Sequence, residues 1–200
     1  MRTSAPPLLA IFRSQLQGEL LARVLLGEAG PGRESGGTTI SDLARDLGKP
    51  LATVHREVVR LEAAGVLVTG RVGRARTVAA NEANPAINPL RELVTIAFGP
   101  KPVIAVAFQH VDKVHDLLIF GSWAARYQGQ PGPPPGAVEL LVVGTPDRSA
   151  VEHAAATASK QLGRTVTPTV VSAQRWAEAR QPFLQELARG PLVRVAPAGH

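Results

Sequence analysis

The chain has 200 residues, enough for one large hydrophobic core or two modest ones, and the absence of cysteine excludes disulfides, thiolate metal sites and a cysteine nucleophile. The formal charge of +6 is moderate. Up to Asn81 basic residues exceed acids by four, so the excess is biased toward the amino-terminal part and points to a nucleic-acid partner. Arg13, Gln15, Gln17 and Glu19 interrupt the apolar residues near the start, and no membrane-length apolar run follows, so the expectation is a cytoplasmic protein with no membrane partner.

In chain order, residues from about Leu8 to Leu26 read as a helix, with Leu9, Phe12, Leu16, Leu20 and Val24 on a broad stripe ended by Gly27. Its apolar face is wider than a small domain needs, which makes Phe12, Leu16 and Leu20 a candidate dimer seam; packing within its own domain is the alternative. Gly30 to Gly37 reads as a loop. Thr39 and Asp42 have capping-box spacing and open a short helix with Ile40, Leu43, Ala44 and Leu47 inward, closed by Gly48. After Gly48-Lys49-Pro50 a second helix runs to about Ala64, with Leu51, Val54, Val58 and Leu61 as its apolar stripe. Its polar face carries Thr53, His55, Arg56, Glu57 and Arg60. Gly65 ends it, Val66 to Thr69 reads as a strand, Gly70 to Gly73 as a turn, and Arg74 to Ala79 as the returning strand.

Helix, turn, helix and hairpin in that order describe a winged helix-turn-helix, in which the second helix enters the major groove and the hairpin tip meets the flanking backbone or minor groove. Arg71, Arg74 and Arg76 lie close together with no acid between them, and Arg56 and Arg60 are one helical turn apart. The guanidinium fork clamps phosphate oxygens or the guanine O6/N7 edge, so Thr53, His55, Arg56, Arg60, Arg71, Arg74 and Arg76 are the candidate DNA-binding residues. Thr53 and Arg56 are the first choice for base contacts. A solvated basic face is the alternative. The segments Leu43 to Gly48 and Thr53 to Leu67 resemble the helix-turn-helix of ArsR-like and MarR-like bacterial transcriptional regulators. That resemblance implies a homodimer whose second helix reads double-stranded DNA, under an effector, small molecule or protein, that the sequence does not identify. Without cysteine there is no counterpart of the arsenic-responsive thiolate site.

Asn81 to Pro89 reads as a linker, and two short helices follow, from Pro89 to Phe98 and from Pro102 to Phe108, as a connection and further dimer contact. Strands then alternate with helices: strands at Leu117 to Phe120, Val138 to Val143 and Thr165 to Val171, a helix from Ala150 to Leu162, a helix within Gln181 to Ala188 and a last strand at Leu192 to Val195. Gln128 to Gly136, rich in Pro and Gly, is an exposed connector.

Ile119 to Tyr127 followed by Val138 to Val143 resembles the minimal nucleotidyltransferases of the DNA polymerase beta type. The resemblance implies that Gly121 and Ser122 line a triphosphate site and that carboxylates on the next two strands hold two divalent ions. Only Glu139 matches. Ala137 stands at the first carboxylate position and the third strand carries Thr167 and Thr169, so no metal or cofactor is assigned and the site, Gly121, Ser122 and Glu139, reads as degenerate.

The expected architecture is therefore a two-domain α/β chain, α+β overall: a winged helix-turn-helix over 1–81, linker and helices with a candidate dimer contact over 82–108, and an inactive nucleotidyltransferase-like domain over 109–200. The expected function is a DNA-binding regulator rather than an enzyme. The alternatives are a metal-dependent nucleotidyltransferase and an antitoxin-like structural partner protein.

Overall fold

The computed structural model describes residues 11–27, 38–130, 132 and 134–195. It is a mixed α/β chain that divides into two compact units between Phe98 and Gly99, with a three-stranded antiparallel sheet in the first and a four-stranded mixed sheet in the second. No helix of the described residues is long and apolar enough to cross a membrane. The loop expected at Gly30 to Gly37 lies outside the described residues, as do Leu8 and Leu9; Phe12 to Ser14 are described and not helical, so the first helix starts at Gln15 rather than near Leu8.

In the first unit, α1 spans Gln15–Leu25 and begins where the Ser14 hydroxyl accepts from the Gln17 N–H. β1 (Thr38–Thr39) leads into α2 (Ile40–Asp46), whose cap is the Thr39 hydroxyl: it accepts from the Asp42 N–H at 3.0 Å and donates to Asp42 Oδ2 at 2.7 Å. α3 spans Leu51–Ala63. Both α2 and α3 end in the same device. Gly48 and Gly65 take left-handed φ values of 60° and 70°, and the following N–H groups reach back to the Ala44 and Leu61 carbonyls. β2 (Leu67–Val72) and β3 (Ala75–Ala80) complete the sheet in the order β1-β3-β2.

The unit closes with α4 (Ile87–Phe98), which packs on α1. The Phe98 ring lies on Gly18, where any Cβ would collide with it, and meets the Phe12 ring edge-on at 5.2 Å. Arg91 donates to the Leu25 carbonyl at the end of α1. α4 thus belongs to the first unit rather than to a connector. Of the three side chains expected at a dimer seam on α1, Phe12 and Leu20 are buried within the unit, Phe12 against Phe98 of α4, while Leu16 is half-buried.

The second unit runs α5 (Pro100–Phe108), β4 (Val114–Phe120), α6 (Gly121–Tyr127), β5 (Val138–Gly144), α7 (Arg148–Leu162), β6 (Val166–Val171), α8 (Ala173–Glu178), α9 (Pro182–Arg189) and β7 (Leu192–Arg194). Strand order is β6-β5-β4-β7, with β5 and β6 parallel and the other pairs antiparallel. Leu140 to Val143 are all buried, as a central strand covered on both faces requires. Leu118, Phe120, Leu141, Val143 and Val171 pack with Leu184 and Leu187 of α9 and with Trp176 of α8, while α5 and α7 pack on each other. Pro168 sits in β6, an edge strand, where its missing N–H is tolerated. α7 begins two residues before the expected Ala150 because the Asp147 carboxylate caps it, accepting from the Ala150 N–H at 3.0 Å; hydrogen bonds from Ser149 and Ala150 hold that carboxyl below its usual range.

Candidate nucleic-acid interface

The residues of α3 sort into four faces. Val54, Val58 and Leu61 point into the core of the first unit. Leu51, expected to begin that stripe, is instead 51% exposed, because the first turn of the helix extends past the edge of the core. On one flank Glu57 is buried as well, contrary to the expected solvent position. Its Oε2 accepts from Arg60 Nη1 at 2.6 Å, its Oε1 is buried with no partner among the described residues, and Thr53 beside it is half-buried. The opposite flank holds His55 and Glu62, two turns apart and facing the hairpin. Arg76 of β3 bridges them: Nη2 donates to Glu62 Oε2 at 2.8 Å and to the Thr69 hydroxyl at 3.2 Å, and Nη1 donates to His55 Nε2 at 3.2 Å. The Thr69 hydroxyl also donates to Glu62. A guanidinium has no acceptor, so the His55 proton in this arrangement lies on Nδ1.

The outward face of α3 is what remains: Ala52, Arg56, Val59 and Ala63, spaced four, three and four residues apart, all exposed. The expected pair of Thr53 and Arg56 therefore splits between a half-buried flank and the outward face.

In the hairpin, Val72 pairs with Ala75, so the turn is the two residues Gly73 and Arg74 rather than the four from Gly70 to Gly73. Gly73 takes φ 60°, which a tight hairpin needs at its first turn position, whereas Gly70 stays in the ladder opposite Thr77. Arg71 thereby becomes a strand residue opposite Arg76, and Arg74 is the tip. Arg56, Arg71 and Arg74 are exposed and make no hydrogen bond or ion pair with the described residues. Arg60 and Arg76, by contrast, each hold a carboxylate of α3. Of the seven candidates, then, Arg56, Arg71 and Arg74 are available as they stand; His55 is exposed but engaged by Arg76.

The other candidate constellation lies in the second unit. Gly121 starts α6 with φ 68°, and a Cβ there would run into the Glu139 carboxylate. Register aligns Phe120, Glu139 and Thr167 across three strands, so Thr167 is Glu139's immediate neighbour on β6. Ala137 and Ser122 are exposed. Among the described residues no three His, Cys, Asp or Glu side chains come together as metal ligands. Arg126, the one cation near this site in sequence, donates to the Gln130 carbonyl and packs against Gly132, so it braces its own connector. Behind α6, Trp123 is fully buried with the Arg164 guanidinium 4.9 Å over its ring, and Arg164 also donates to the Pro135 carbonyl. Tyr127 accepts from the Lys101 N–H at the start of α5, and burial raises its phenol above the usual range.

Two features of the α3 surface escaped the sequence reading: the apolar outward positions Ala52 and Val59, and the Arg76 bridge. Helical spacing from Arg56 marks the first pair; nothing local marks the second. Comparison of the chain with protein-family models, curated proteins and solved structures found no match.

Proposed function

We propose that the first unit is a winged helix-turn-helix that binds double-stranded DNA, and that the chain acts as a homodimeric transcriptional regulator by occlusion or recruitment. The observation that carries this reading is the joint occurrence of three exposed arginines that make no hydrogen bond or ion pair with the described residues, Arg56 on the outward face of α3 and Arg71 and Arg74 on the hairpin that follows it, in an α2-turn-α3-hairpin order. The acids of the same surface are already taken, Glu57 by Arg60 and Glu62 by Arg76, so the excess charge is positive. Selection of bound duplexes from a random pool tests it. Enrichment of a near-palindromic site is expected, with affinity falling steeply as salt rises through counterion release. An unenriched pool, or binding indifferent to salt, overturns the proposal.

For the second unit we propose a nucleotidyltransferase-like scaffold without transfer activity. Two ions about 4 Å apart need several carboxylates, and here Glu139 stands between Ala137 and Thr167. Labelled nucleoside triphosphates offered with magnesium or manganese and protein and RNA acceptors are expected to give no transfer. Label transfer that disappears in Glu139→Ala would establish the enzyme reading instead.

A further inference from the structure

The outward face of α3 is not built like a phosphate-tracking surface. Such a surface would be basic along its length, yet the stripe Ala52, Arg56, Val59, Ala63 carries one cation among three apolar side chains. Val59 is 42% exposed, although a β-branched side chain is a poorer helix former than alanine. We propose that this face reads thymine 5-methyl groups beside a guanine, with Val59 and Ala52 as specificity-determining residues on either side of Arg56. This rests on the duplex-DNA reading above and adds which bases are read.

The chemistry follows from what the major groove displays. Only thymine presents a methyl group there, and apolar side chains contact it, while an arginine fork pairs with guanine O6 and N7. The spacing matches. Three residues advance a helix by about 4.5 Å and four by about 6 Å, against about 3.4 Å per base pair, so Val59 and Ala52 fall within one to two pairs of the base met by Arg56. A groove on a protein partner is the competing occupant. The charge argues for the polyanion: Arg71 and Arg74 are exposed on the hairpin that follows α3, and Glu57 and Glu62, the only acids of α3, are held by arginines.

The test uses the full-length chain and a random duplex pool. After selection, the recovered duplex is resynthesised with deoxyuridine in place of thymidine, which removes the methyl groups and leaves every hydrogen-bonding group intact. The recovered half-site is expected to carry thymine within two pairs of a guanine, and the uracil duplex to bind about fourfold more weakly for each methyl lost. Val59→Ser, an exposed change that leaves the core intact, is expected to weaken the thymine duplex and to lose the thymine-over-uracil preference at its position. A duplex preferred over random DNA but bound equally with thymine and uracil overturns the inference while sparing the DNA reading. If no duplex is preferred and sedimentation shows self-association that Val59→Ser abolishes, the face is a protein contact and both readings fall.

Discussion

Trp123→Ala is expected to remove about 3 to 5 kcal/mol from the second unit, a large part of the 5 to 15 kcal/mol that holds a typical domain folded. Trp123 is 2% exposed, at the start of α6 between the strands and the connector that follows. Truncation opens a cavity and also strips the aromatic face from Arg164, a buried guanidinium whose hydrogen bond to Pro135 ties down the proline-rich connector. The indole Nε1 has no partner among the described residues. Trp123→Phe therefore gives up volume but no hydrogen bond, and is expected to cost clearly less than Trp123→Ala. Denaturant titration of both variants by far-ultraviolet circular dichroism, with limited proteolysis at the 128–136 connector, separates the contributions. Equal midpoints for the two variants would show that ring volume and the cation contact do not matter at this site.

Arg56→Ala is expected to weaken the selected duplex by about 1 to 3 kcal/mol, the range for a lost bidentate base contact, and to narrow its advantage over random DNA. Arg74→Ala, at the hairpin tip, is expected to weaken all duplexes alike and to reduce the salt slope by about one. Fluorescence anisotropy on both duplexes at several salt concentrations measures the difference. Equal losses on specific and random DNA for Arg56→Ala would reassign that residue to the phosphate backbone. Arg76, although a neighbour in sequence, belongs to neither class. It is spent on Glu62, Thr69 and His55, so its loss would loosen the hairpin from α3 rather than delete one contact.

The helix ends of the first unit were legible because their signals are local: Thr39 with Asp42 opens α2, and Gly48 and Gly65 close α2 and α3 with the left-handed residue that such ends require. The strands of the second unit were legible too, since Leu140 to Val143 is the unbroken apolar run of a strand covered on both faces. What failed depends on partners distant in the chain. Arg76 looked like a free cation because Glu62 and His55, its acceptors, are brought to it only by hairpin register. Leu51 looked buried because helical periodicity does not say where the core ends. That α1 packs on α4 is a pairing no spacing encodes, and Gly18 under Phe98 is visible only once the two helices meet. α8 was missed because a six-residue helix with one large apolar side chain, Trp176, has no periodicity to detect.

The placement of Trp123, Tyr127 and Trp176 also has an optical consequence. The chain has two tryptophans and one tyrosine, and all three lie beyond Gly99. The first unit, with Phe12 and Phe98 as its aromatics, is dark when tryptophan is excited. Intrinsic emission therefore watches one half of the molecule while a ligand is offered to the other. A spectral shift on adding duplex would register an effect felt in the second unit, so the native chain carries its own optical reporter for that half.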